Sequence, residues 1–199
     1  MKKTTTIIII VLLIVIVGVV GVYAFMAGKA KDEQQSAALT AVEKVLSRDL
    51  SKKYPATVRE VVKYYAEIIK CFYAEDTRDE DLEALGMKAR ELYDEELLMN
   101  NQIEDYLINL KSNVQQFKSN KLTLASYSVA GSVNVDYFQE DGYEFARLNC
   151  TYYYMEGGVT RSVDIIYLLR KENKLWKIYG WDNAKNLQGQ DNAENIQVQ

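Results

Sequence analysis

The sequence predicts an α+β chain in which a transmembrane helix and a stalk helix precede three helices packed on a curved antiparallel sheet. Three patterns carry that prediction. Ile7 to Met26 is an uncharged apolar run, apolar residues recur at helical spacing between Val58 and Phe117, and alternation with turn dipeptides takes over after Asn120. Helices in one block and strands in the next build segregated layers, whereas regular alternation of the two would build a parallel sheet.

At about 1.5 Å per residue, a helix over residues 7–26 spans roughly the 30 Å hydrocarbon core of a bilayer. Lys2 and Lys3 precede it with no acidic residue beside them, which places residues 1–6 in the cytoplasm and the rest of the chain outside the cell membrane. A signal peptide has an apolar segment of only about 7–15 residues, so the length favours an uncleaved single-pass anchor over cleavage after Ala24 in Val22-Tyr23-Ala24. No cysteine stands near the end of the run to take a lipid.

Residues 27–53 read as a helical stalk, with Leu39, Val42, Leu46 and Leu50 forming a narrow apolar stripe in a charged stretch. The stripe suits a semi-rigid spacer and also permits packing on the domain or self-association. Tyr54-Pro55 breaks this helix at the chain's single proline, and the α+β domain is assigned to residues 54–182.

Thr57-Val58-Arg59-Glu60 has the form of a capping box and predicts a helix start. Val58, Val61, Val62, Tyr65, Ile68, Ile69 and Phe72 then share one face. Thr77-Arg78-Asp79-Glu80 repeats the capping form before Leu82, Leu85, Ala89 and Leu92. A third helix is predicted from Gln102 to Lys118. The acidic stretches Asp76 to Asp81 and Asp94-Glu95-Glu96 read as solvated helix starts, and neither has the spacing of a calcium loop.

Strands follow at Leu122 to Tyr127, Val133 to Phe138, Glu144 to Met155, Val159 to Lys171 and Lys174 to Trp181. A break at Gly131 and hairpin signals at Asp141-Gly142 and Gly157-Gly158 separate them into a meander. Alternation puts Leu148, Cys150, Tyr152, Tyr154, Val163, Ile165, Tyr167, Leu169, Trp176 and Ile178 on the inner face. Arg147, Asp164, Ile166, Leu168 and Arg170 fall on the outer face. Residues 183–199 are polar enough to be read as disordered.

Composition removes several functions. The part beyond the anchor holds 22 basic and 28 acidic residues, a net charge of −6, which argues against nucleic acid and anionic lipid as partners. The chain has no histidine, so a Ser-His or Cys-His nucleophile pair cannot be built, and two cysteines alone do not make a zinc site. No metal and no cofactor is implied. Outside the membrane a disulfide between Cys71 and Cys150 is chemically permitted if their Cα atoms come within about 7 Å; the ordinary alternative is two buried thiols.

Three helices followed by a meander closing on Leu175-Trp176-Lys177-Ile178 resemble the nuclear-transport-factor-two-like (cystatin-like, SnoaL-like) α+β cone. A narrower resemblance rests on Tyr54-Pro55-Ala56-Thr57-Val58-Arg59-Glu60-Val61-Val62, Ile68-Ile69-Lys70-Cys71, Glu95 to Asn101, and Leu168-Leu169-Arg170-Lys171 leading into Trp176 to Trp181. These segments look like an uncharacterised family of small membrane-anchored proteins of Clostridia-type Gram-positive bacteria. The cone resemblance implies a pocket between sheet and helices, with Tyr65, Tyr152, Tyr154, Tyr167 and Trp176 as candidate lining. Aromatic residues at sheet spacing ordinarily pack, so the residues themselves favour an inner face in which they simply fill the core over an open ligand cavity. Asp164 is the acid centred in a strand, and its outward register suits cross-strand pairing, with Arg147 or Arg161, better than catalysis.

The expected function is therefore a noncatalytic extracytoplasmic domain that binds a protein, a cell-envelope component or a small ligand. A scaffold subunit of an envelope or type IV secretion assembly is an alternative that predicts self-association. A SnoaL-like isomerase or dehydratase is another, and it requires an open inner cavity holding an acid beside tyrosine.

Overall fold

The structure, a computed structural model, describes residues 40–74 and 76–184. The anchor assigned to residues 7–26, the stalk as far as residue 39 and the tail beyond residue 184 lie outside the described residues. Among the described residues no helix is long and apolar enough to cross a membrane. Helices α1 (Ala41–Leu46), α2 (Val58–Phe72), α3 (Asp79–Arg90), α4 (Glu95–Asn100) and α5 (Ile103–Ser119) precede strands β1 (Leu122–Val129), β2 (Asp136–Glu140), β3 (Tyr143–Glu156), β4 (Val159–Glu172) and β5 (Leu175–Asn183). The result is a mixed α+β domain with helices packed on a curved antiparallel sheet.

The domain reaches further back than Tyr54. In place of a continuous stalk helix, the short α1 gives way to turns, and Val45 and Leu50 are buried in the common core. The Tyr64 hydroxyl donates to the Val45 carbonyl at 2.8 Å, and Arg48 pairs with Glu67 at 2.8 Å while lying over the Tyr64 ring. Of the stripe's described residues, Leu50 is buried and Val42 and Leu46 are partly buried against the same core.

The capping box at the start of α2 forms as the residue spacing predicts: Thr57 accepts from the Glu60 N–H, and Glu60 accepts from the Thr57 N–H. The second box does not form. The Thr77 hydroxyl donates to the Cys71 carbonyl at 2.5 Å, so it closes the end of α2 and leaves Arg78 to flank α3 through a two-point bond to Asp81. Gly86 lets α3 approach α5 closely, since a Cβ there would stand 3.0 Å from Leu110 and 3.1 Å from Leu107.

The strands pair in the order β1-β3-β4-β5, and β2 also pairs with β3. β1 occupies one half of the free edge of β3 and β2 the other, with a 3-10 turn at Ser132–Asn134 between them. Asp141 and Gly142 both take positive φ, as do Gly157 and Gly158, which matches the twist that two-residue hairpins need. α2 lies across the inner face, where Ala146, Leu148, Cys150, Leu169 and Ile178 are essentially inaccessible to solvent.

Two bulges interrupt the alternation. Leu168 pairs with Gly180 but Leu169 pairs with Ile178, leaving Tyr179 as an extra residue in β5; Ala125 plays the same part in β1. Each insertion moves every later side chain of its strand to the opposite face.

The outer face is not solvated throughout. Leu168 and Arg170, expected on a solvent face, are 6% and 9% exposed, beneath an aromatic layer formed by Phe145, Tyr143 and Tyr179. The Arg170 guanidinium lies 5.0 Å from the Tyr143 ring centre and 4.8 Å from that of Tyr179. It meets Asp94 at 2.6 Å, and Glu96 and Glu172 at 3.1 Å each. Asp94 was expected to be a solvated helix start. It does start α4, accepting from the Leu97 N–H at 2.8 Å, but it is fully buried.

Burial pushes the Asp94 carboxyl up to about 6, further than the Leu97 N–H and Arg170 pull it down. A carboxyl whose folded pKa exceeds its unfolded value stabilises the fold below the unfolded pKa, near 3.8, and loses that contribution as pH rises through about 6. Asp94→Asn keeps a capping oxygen and cannot titrate. Relative to this variant, the native chain is expected to lose on the order of 3 kcal/mol of stability between pH 4 and pH 7 in urea titrations; a gain over that interval would contradict the assignment.

Candidate functional site

Between α2, α5 and the inner face of the sheet lies a cavity of about 660 Å³. The inner face is therefore not the filled core that aromatic residues at sheet spacing ordinarily make. The first turns of α2 are packed shut by Val58, Val61 and Val62, but farther along the helix turns Tyr65, Ile69 and Phe72 toward open space. α5 provides the facing wall with Tyr106, Leu110 and Phe117, and its exposed Asn109 and Asn113, one turn apart, stand at the mouth.

Of the five candidate lining residues, the structure brings Tyr65, Tyr152, Tyr154 and Tyr167 to this cavity. Trp176 is not among the lining residues. It shares the inner face but lies at the far end of β5, its carbonyl accepting from the Tyr54 hydroxyl at 2.9 Å and its ring 5.7 Å from that of Tyr137. Trp181 takes the expected place, because the Tyr179 bulge turns it inward opposite Tyr167. Strict alternation from Trp176 and Ile178 points Trp181 outward, so only the bulge could have revealed it. Tyr73 and Tyr93 were also missed: both follow a helix end, where no periodicity applies.

The wall is a tyrosine network. Tyr65 and Tyr93 join their hydroxyls at 2.8 Å, and Tyr152 and Tyr167 join theirs at 2.7 Å. The Tyr65 ring meets Tyr167 edge-on at 5.6 Å, and Trp181 lies 5.8 Å from Tyr65 and 5.9 Å from Tyr93. Burial raises every one of these phenols well above the ordinary tyrosine range, and raises Tyr73 and Tyr106 too. They are neutral hydrogen-bonding groups at physiological pH, unable to serve as phenolate bases.

Charge is confined to the mouth. Glu156 is the single ionisable acid or base, tyrosine aside, among the lining residues described, and it is paired with Arg161 of the neighbouring strand. Asp164 is exposed on the outer face, accepting from the Thr151 hydroxyl at 2.5 Å. The expected arginine partners are engaged elsewhere: Arg161 with Glu156, and Arg147 with Asp136 at 3.8 Å. No group of three or more acidic or cysteine side chains suited to hold a metal occurs among the described residues.

Cys71, in the last turn of α2, and Cys150, in β3, are both buried free thiols, so the permitted disulfide is not formed. Burial pushes each thiol up to about 11.

The family model described as a domain of unknown function (DUF6715) matches residues 1–181. No curated protein matches the chain. Among solved structures, the crystal structure of the intermembrane space region of chloroplast protein ARC6 is similar at 17% identity, over 65% of this chain and 95% of that one, with a TM-score of 0.33.

With both thiols buried and protonated, a water-soluble maleimide is expected to leave the native chain unlabelled at pH 7. It should label two thiols in guanidinium without reductant. Failure to label the unfolded, unreduced chain would mean that the two cysteines are bonded.

Proposed function

The chain belongs to the family of the domain of unknown function DUF6715, and we propose that it is a noncatalytic binding domain, held outside the cell membrane by its apolar N-terminal run, with the tyrosine cavity as its ligand site. The cavity carries this reading. Its volume of about 660 Å³ falls within the roughly 300–1,000 Å³ of small-molecule sites, and its lining of apolar walls with a few convergent hydroxyls is what such sites use for affinity and orientation.

Proton chemistry supports the noncatalytic part. An isomerase or dehydratase that moves a proton beside a carbonyl needs a base within reach of the substrate. The phenols are held neutral, Asp164 faces away, and Glu156 is engaged by Arg161 at the mouth. External placement is supported by the length of the apolar run and by Lys2 and Lys3 before it. The family match begins at residue 1 and so includes this run. A curved antiparallel sheet with helices on its inner face supports assignment of the domain to the nuclear-transport-factor-two-like cone.

Two measurements test the proposal. The neutral dye N-phenylnaphthylamine, bright only out of water, is expected to bind the full chain saturably and at least about 10-fold more weakly to Val163→Trp, which fills the cavity; equal binding would remove the cavity as a site. Val133 is 94% exposed and both native thiols are buried, so Val133→Cys is a clean reporter of side. A membrane-impermeant maleimide added to intact cells should label it, and labelling only after lysis would overturn the external placement.

A further inference from the structure

Resting on the binding role above, we infer that the cavity selects an uncharged, planar ring compound carrying an acceptor oxygen. The requirement for an acceptor comes from counting protons. In a row of hydroxyls bonded only to each other, protons exceed bonds by one, so the row of Tyr65, Tyr93 and Tyr106 has a proton left to donate, whereas Tyr152, joined to Tyr167, also meets the Cys150 thiol. A carbonyl or similar oxygen on the ligand satisfies that donor, and a hydrocarbon does not.

The same inventory rejects other classes. An anion would enter without a basic partner, because among the described residues no lysine or arginine lines the cavity, and a buried unpaired charge is costly. A quaternary ammonium ion needs rings held apart around it. Here Tyr65, Tyr93, Tyr167 and Trp181 already touch one another, with centroids 5.6 to 6.3 Å apart, and leave no gap between them. A sugar would bring several donors to walls that are mostly ring and hydrocarbon, leaving them unpaired. Flat ring faces suit walls that pack edge-on and tilted, as these do.

A series built on one ring isolates each requirement: acetylnaphthalene, naphthalene, naphthoate and naphthyltrimethylammonium, with N-acetylglucosamine as the sugar. Binding to the full chain in lipid nanodiscs is measured by equilibrium dialysis, with Val163→Trp nanodiscs subtracted for partitioning into lipid. The ketone is expected to bind about 5-fold more tightly than naphthalene, the gain of one hydrogen bond, and at least about 10-fold more tightly than either ion. Tyr65→Phe, Tyr93→Phe and Tyr106→Phe combined remove the whole row and should narrow the gap between ketone and naphthalene while leaving naphthalene itself unchanged. Equal binding of ketone and naphthalene overturns the acceptor requirement. Preference for naphthoate, the ammonium ion or the sugar overturns the ligand class and leaves the binding role standing. Binding of none of the five overturns the binding role as well.

Discussion

A strand shows its side chains to alternate faces, and one extra residue in β5 decides what the inner face of this sheet becomes. Up to Ile178 the strand pairs in step with β4. Tyr179 then has no partner of its own, and Gly180 and Trp181 take the faces that strict alternation would have reversed. Tyr179 keeps the outward place that alternation gives it, in the aromatic layer around Arg170, where its hydroxyl donates to Glu96 at 3.1 Å. The bulge instead sends Trp181 inward to complete the cavity wall.

The same stretch of β5 holds the segment between α3 and α4. Ile178 donates its N–H to the Leu92 carbonyl at 2.8 Å and accepts from the Asp94 N–H at 2.9 Å, so Tyr93 is paired like a short added strand at the sheet edge. This places the Tyr93 hydroxyl against Tyr65 and the Asp94 carboxylate beneath Arg170. A buried ion pair costs desolvation and is weak evidence of stability in itself. Its effect here is positional: Arg170 sits between three carboxylates from two elements, fixing where α4 begins and therefore how Tyr93 enters the cavity.

The chemistry of the cavity follows from its being made of tyrosine. A phenol brings ring area and one hydroxyl, and with burial raising its pKa it offers no charge with which to move a proton. Such a wall is suited to shape and hydrogen-bond selection. Asp164 lies on the far side of the sheet and Glu156 is engaged at the rim, and the proposed binding role rests on that placement.

Local patterns in the sequence determined the helix over residues 58–72 and its capping box, the hairpins at Asp141-Gly142 and Gly157-Gly158, and the inward set Leu148, Cys150, Tyr152, Tyr154. Each depends on neighbours a few residues away, and period and turn chemistry report those directly. What depended on a distant partner was not legible. Thr77 looked like a second cap until the Cys71 carbonyl claimed its hydroxyl, and Asp94 looked solvated until Arg170 and β5 covered it. Trp176 and Trp181 exchanged roles at a bulge that no residue type announces. The tyrosines that would face inward were written in the strand alternation of β3 and β4. Whether they would meet in a filled core or stand around a cavity was decided only by how far α2 and α5 are held from the sheet, a distance set by packing among residues remote in sequence.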